Sequence, residues 1–505
     1  MSHETWKKLF AGAMTLALTF SAASCEGADT ASNADIYGGE AVVGITQEPM
    51  VFDPHTVTAA GDREILFNVY EGLMKFDSTG TLNPCLATDV EISDDATEFT
   101  FTIREGVTFH DGSELDPGDV VYSLNRAHEL MAEFESVESV TDNGDNTVTV
   151  TLDAPNSEML SFFTAAIIPE GSGDTIGDTR IGTGPFVFTS YEAGIGIVLT
   201  KNANYWNPEL PYLDQVTFKV CADMDSGMLE LQSGAIDIFP YLTTDKSSQL
   251  DASQFDVLSL GSDMVQGLFL NNAVAPFDDV RVRQALNYAI NRDEIISLTM
   301  DGAGLALTTA MSPVIGEAYD TALDGTYNQD LEQAQALLSE AGYPDGFDMT
   351  ITVPSNYLVH VNTAVALADQ LSEVGINATI EQVDWATWLD RVYAGRDYQS
   401  TVICLTSDYA PYDVISRYLT TADGNFINYS NPAVDEIITN IPLTPDADTR
   451  ISLYRELLGY MTEDAASVYI QDPYNICAVN RRLTGYNIYP MYVQDMSTVH
   501  LAAAN

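Results

Sequence analysis

A chain of 505 residues is too long for a single domain of ~100–150 residues, so two or three domains are expected. Its 46% apolar content is enough to bury a large core. Only 20 Lys+Arg face 74 Asp+Glu, a formal net charge of -54 that repels nucleic acid and anionic lipid and sets both aside as partners. That acidity reads as the solvated surface of an exported protein.

The first stretch is an address. Lys7 and Lys8 precede a short apolar run, Leu9 to Phe20, which is too short to span a bilayer comfortably. Ala22-Ala23-Ser24-Cys25 then has the form of a lipobox, although Ala22 stands where many lipoboxes have Leu. Residues 1–25 are therefore expected to be a signal peptide with Cys25 lipidated, and residues 26–39 a flexible tether. The expected location is the outer face of a bacterial cytoplasmic membrane, or the periplasm where an outer membrane exists. The lipid would be the only membrane contact.

From residue 41 the chain alternates short strands with turns. Ala41 to Ile45 reads as a strand and Ile65 to Tyr70 as a helix ending at Glu71-Gly72-Leu73. Phe99, Phe101 and Ile103 alternate with polar residues, as do Val148, Val150 and Leu152. Between them Asp116, Pro117 and Asp119 predict a helix start with a capping box. Asp142-Asn143-Gly144 lacks the downstream bidentate acid of a calcium loop and reads as a turn. Residues 76–180 thus form a small α+β unit. Gly182-Thr183-Gly184-Pro185 restarts the larger one, and without a third glycine it is no dinucleotide fingerprint.

After Phe269, Pro276 marks a turn and Asp278 and Asp279 are N-cap types. Val282, Ala285, Leu286, Ala289 and Ile290 then fall on one helical face. Beyond it lies a strand (Asp348 to Val353), a helix (Val361 to Val374, stopped by Gly375) and a strand (Ile376 to Ile380), most economically a parallel crossover unit. A helix from Asp384 to Ala394 leads into the strand Gln399 to Leu405. Thr406-Ser407-Asp408-Tyr409 follows at a carboxyl strand end, the usual ligand position in open α/β sheets.

Cys25, Cys85, Cys221, Cys404 and Cys477 show no CxxC spacing, and the six histidines form no HxH or HExxH pair. No metal site or cofactor is expected. The four cysteines after Cys25 allow two disulfides or none. GxSxG and SxxK are absent too, so a secreted hydrolase is only the runner-up class.

Several segments together resemble the bacterial extracellular solute-binding proteins of family 5, the peptide and nickel class that feeds ABC importers. They are Ile92 to Asp95, Phe99 to Gly112, Asp119 to Ser123, Gly182 to Phe186, Asn204-Tyr205-Trp206, Pro276 to Ile290, Ala341 to Gly346 and Val374 to Ile376, in the family's order. The resemblance implies a two-lobed α/β clamp of the periplasmic-binding-protein kind (class II type) with an extra α+β subdomain. Lobe one would comprise 40–75, 181–268 and 478–505, the subdomain 76–180 and lobe two 269–477, with crossings near 268 and 477. It implies a monomeric receptor that closes on a small peptide and delivers it to a permease. Asp408 would hold the ligand's α-amino group, with Thr406, Ser407, Tyr409 and Phe269 beside it and Glu71, Gly72 and Leu73 approaching from the other lobe. No Arg stands near Ser355 to take a carboxylate as dipeptide binders do; Arg391 and Arg396 read as surface ion-pair formers. This favours an oligopeptide over a dipeptide. The alternative cargoes are a nickel chelate, glutathione, an opine or a sugar.

Overall fold

The computed structural model describes residues 36–57, 59–406 and 411–503. Cys25, residues 1–35, and Ser407, Asp408 and Tyr409 lie outside the described residues.

A twelve-stranded sheet runs through the molecule. Its order from one edge is Asn377–Val383, Asp348–Pro354, Ser400–Thr406, Met264–Leu270, Val468–Asn480, Ile238–Phe239, Glu40–Ile45, Gln215–Val220, Gly196–Lys201 and Phe186–Glu192. Phe255–Gly261 and Gly304–Ala306 also pair with Val468–Asn480. That one strand of 13 residues serves two neighbourhoods. Val468 to Gln471 pairs with Met264–Leu270, and Tyr474 to Asn480 pairs with Phe255–Gly261. The partners change within four residues, Gly261-Ser262-Asp263-Met264. Pro473, which has no N–H to give a ladder, stands opposite the change.

Asp472 holds this change-over together. Its carboxylate is fully buried and accepts from Ser262 N (2.9 Å), Ser262 Oγ (3.0 Å), Met264 N (3.3 Å) and Ser312 Oγ (2.5 Å). Burial pushes its carboxyl group up from the ordinary value, opposed by those donors.

Around the sheet are separate apolar cores. One gathers Val43, Phe186, Val216 and Phe218. Two others cover the opposite faces of Met264–Leu270: Leu268 and Leu270 point to one, Phe269 to the other, as strand alternation demands. Helices Val280–Ala289 and Leu358–Ser372 cover the first of these faces. Val282, Ala285, Leu286, Ala289 and Ile290 are all 0% exposed, and Asp279 caps the first helix by accepting from Arg281 N. Asp348–Pro354 and Asn377–Val383 pair in parallel across the intervening helix, as the alternation of strand and helix predicts.

The extra unit has its own core around Phe99, Phe101, Phe134 and Phe163. Its four-stranded antiparallel sheet (Ala87–Ile92, Glu98–Ile103, Thr147–Leu152, Val137–Asp142) packs against helix Pro117–Leu130. The capping box at Asp116 and Asp119 forms as expected. This unit also touches the second half of the chain. Ser157 N donates to Pro442 O (2.8 Å), and Glu158 pairs with Arg450 (2.7 Å).

Cys85, Cys221, Cys404 and Cys477 are all unpaired. Burial raises their thiols, Cys221 to about 11 and Cys477 to about 12, which keeps them inert. Among the described residues no helix is long and apolar enough to cross a membrane.

Candidate functional site

A cavity of about 290 Å³ is walled by several parts of the chain, Met491 of the C-terminal segment among them. The helix Ala60–Leu66 and the turn after it contribute Arg63, Phe67, Tyr70, Glu71, Gly72 and Lys75. The extra unit contributes Met131, Glu133, Phe162 and Thr164, and the second half contributes Asp413. Apolar rings with a few charged groups are the usual lining of a small-solute site, and the volume lies at the small end of the ~300–1,000 Å³ range.

Glu71 explains why three separate sequence motifs belong together. Its carboxylate is buried and accepts from Tyr205 Oη (2.7 Å), Trp206 Nε1 (3.0 Å) and Thr183 Oγ1 (3.0 Å). Asn204-Tyr205-Trp206 and Gly182-Thr183-Gly184 thus clamp the loop from behind. The glycines are required by closeness. A Cβ on Gly182 would sit 2.0 Å from Val69 O, and one on Gly184 would sit 2.6 Å from Asn68 O. Gly72 faces the backbone of Thr164, where a Cβ would lie 2.5 Å from its carbonyl carbon. His110, from the Phe109-His110-Asp111-Gly112 motif, donates its backbone N–H to Gly182 O (2.9 Å) and meets Gly184 O with Nε2 (3.0 Å).

Of the residues singled out from sequence, Glu71 and Gly72 line the cavity. The Glu71 side chain is turned to the core. Leu73 is 0% exposed in the core of the extra unit. Phe269 is also 0% exposed and packs on Phe426 and Tyr469. Thr406 is exposed at the end of its strand, where its carbonyl accepts from Arg417 Nη2 (3.0 Å). Arg417 also donates from Nε to Asp413 O (3.3 Å). Arg391 pairs with Glu381 on the neighbouring strand, and Arg396 donates to Asn428 Oδ1 (3.1 Å).

Asp413, which lines the cavity, and two exposed aromatics at strand ends, Tyr357 and Trp385, carried no sequence signal of their own. Asp413 reaches the cavity from helix Pro411–Ser416, directly after the carboxyl end of Ser400–Thr406. Tyr357 and Trp385 follow the carboxyl ends of the two neighbouring parallel strands. Their rings meet edge-on at 5.4 Å, and Trp385 stacks on Trp388 at 5.1 Å. Tyr357 is 41% and Trp385 37% exposed, an aromatic surface with no core to fill.

Helix Ala60–Leu66 also carries a buried acid, Glu64. Glu64 is 5% exposed, and its carboxylate accepts from Tyr241 Oη (2.7 Å) and Gln494 Nε2 (3.4 Å). Burial pushes its carboxyl group up to about 7. Folded protein therefore keeps a proton that unfolded chain gives up above about 4.5, so stability from this group is lost as pH rises from 4.5 to 7. The expected difference is roughly 3 kcal/mol. Glu64→Gln should raise the urea midpoint at pH 8 and leave it unchanged at pH 4.5; equal shifts at both values would contradict the assignment.

Comparison with known proteins now decides the family. Residues 81–426 match the profile of the bacterial extracellular solute-binding proteins, family 5 Middle. The chain belongs to this family. It is an ABC-transporter substrate-binding protein, of a class that is not enzymatic. Among curated relatives, the glutathione-binding protein GsiB of Pectobacterium atrosepticum is 26% identical, covering 89% of this chain and 92% of that one. Among solved structures, the oligopeptide-binding protein AppA from Bacillus subtilis, in complex with a nonapeptide, superposes with a TM-score of 0.73 at 25% identity (92% and 99% coverage). AgaA from A. tumefacien R10, in complex with agropinic acid, gives 0.74 at 25% identity with the same coverage. The fold is thus the mixed α/β periplasmic-binding-protein fold with an extra antiparallel subdomain.

Proposed function

We propose that this family 5 protein captures short peptides or peptide-like solutes between two lobes and hands them to its importer's permease as a monomer. The observation that carries this reading is the cavity itself. One wall carries Arg63, Phe67, Tyr70, Glu71, Gly72 and Lys75, and another carries Asp413, on the helix that follows a carboxyl strand end. Apolar rings with charged groups of both signs suit a small zwitterionic solute such as a short peptide. In this reading the solute's ammonium is held by Asp408, with Thr406, Ser407 and Tyr409 around it, while the backbone of Glu71-Gly72-Leu73 faces the solute from lobe one.

We place the hinge at 261–264 and 471–474, where strand partners change. Lobe two then begins at Met264, and closure is a rotation about two adjacent antiparallel segments. Cys25 would anchor the receptor to the membrane through lipid. The cavity's volume suits a short peptide better than a long one. A glutathione-sized cargo is supported by the glutathione-binding relatives, and an opine by the agropinic acid complex.

Isothermal titration with trialanine, reduced glutathione and agropinic acid separates these cargoes. The expected result is one-to-one binding of trialanine or glutathione, with the ligand recovered intact. Binding of agropinic acid alone, or cleavage of the peptide, would overturn the peptide reading.

A further inference from the structure

We propose that Lys75 is the carboxylate-binding residue of the solute cavity, so that the ligand is held by an acid group on the lobe-one wall. This rests on the cavity being the solute site. The Lys75 side chain lines the cavity, and its ammonium lies 4.2 Å from the Phe67 ring centroid. Among the described residues no carboxylate is within ion-pair distance of it. The two acids nearest in influence, Asp495 and Glu71, are committed elsewhere. Asp495 accepts from Tyr489 Oη (3.0 Å) and Ser497 N (2.9 Å), and Glu71 accepts from its three donors.

An unpaired lysine in a partly apolar cavity is unusual in a chain with 74 acidic residues and 20 basic ones. Desolvating an ammonium is costly; Asp495 and Glu71 offset that cost through their field without pairing with it, and a bound carboxylate would add a direct partner. Burial disfavours the charge, but the field of Asp495 and Glu71 outweighs it, so Lys75 stays protonated. The same wall carries a second cation, Arg63, and Glu71, whose carboxylate is turned to the core and held by three donors, whereas Glu133 and Asp413 lie on the other walls. That division orients a zwitterion: acid end to Lys75, amine end toward the second half. A surface of net charge -54 repels small anions, so a local positive wall is what admits one. No Arg near Ser355 supplies this group; the cavity offers a lysine on the opposite wall.

The test compares two ligand pairs by isothermal titration: trialanine with trialaninamide, and reduced glutathione with its diethyl ester. Each is run on wild type, Lys75→Gln and Lys75→Arg. A charged hydrogen bond of this kind corresponds to an acid-over-blocked preference of about 10–100-fold. Wild type and Lys75→Arg should show it in whichever pair binds, and Lys75→Gln should bind acid and blocked forms alike. If acid and blocked forms bind wild type equally, or if Lys75→Gln keeps the preference, the assignment falls while the peptide reading stands. If neither pair binds wild type at all, both fall together. Unchanged urea midpoints in the variants separate lost selectivity from misfolding.

Discussion

Asp472→Ala should lower the stability of this protein by about 3–5 kcal/mol, a large effect for a single substitution. The carboxylate has no cation beside it among the described residues, so its value lies in four donors it satisfies at once. Truncation leaves Ser262 N, Ser262 Oγ, Met264 N and Ser312 Oγ competing for acceptors in a site that excludes water. Each unsatisfied buried donor costs about 1–3 kcal/mol before relaxation. Asp472→Asn keeps an acceptor for part of the set and should lose about half as much. Urea denaturation followed by tryptophan fluorescence measures both. An Asp472→Ala midpoint within ~0.5 kcal/mol of wild type would show that the change-over of strand partners does not depend on this carboxylate. Ser262 and Met264 flank the place where the sheet changes partners, so the same variant should loosen the proposed hinge. Faster amide exchange at 261–264 and 471–474 is the expected sign.

Glu71→Ala should cost a similar ~3–5 kcal/mol, and for a related reason. Its acceptor oxygens collect Tyr205 Oη, Trp206 Nε1 and Thr183 Oγ1 from segments more than 110 residues away. Removing them unpins the cavity loop from the core behind it. Glu71→Gln retains one acceptor oxygen and should recover part of the loss. The decisive comparison is between stability and binding. A structural Glu71 predicts that the Gln variant melts earlier yet, once folded, binds trialanine or glutathione within a few-fold of wild type. A variant that melts like wild type but no longer binds would make Glu71 a direct ligand contact instead.

Glu71 also shows where sequence reading reaches its limit. The family resemblance placed Glu71-Gly72-Leu73 beside the solute; Glu71 and Gly72 line the cavity, whereas Leu73 is buried in the core of the extra unit. The direction of the Glu71 side chain was not legible, because it is decided by three donors distant in the chain. Local features fared better for a physical reason. The capping box at Asp116 and Asp119 and the apolar face from Val282 to Ile290 depend on spacings of three and four residues, which a sequence displays directly. A strand's change of partner leaves no such trace. Residue 268 lies mid-strand, paired with Val402 and Val468, whereas the partners switch at 261–264. Alternating burial looks the same on either side of such a switch. Phe269 has the same ambiguity: it alternates correctly, but both faces of its strand are buried, so periodicity alone assigns it to neither core nor cleft. Tyr357 and Trp385 were missed because each is an isolated aromatic in sequence. Only the parallel pairing of Asp348–Pro354 with Asn377–Val383 brings them side by side.

Retention of one small solute, unchanged, in the cavity between the two halves is tested most directly by native mass spectrometry of the full chain. The chain is measured first as purified and then after incubation with an equimolar mixture of trialanine and reduced glutathione. The predicted result is a single added mass per chain that is released intact on denaturation, and that is absent or strongly reduced in Lys75→Gln. A chain that retains no small molecule under either condition, or that releases peptide fragments, would contradict it.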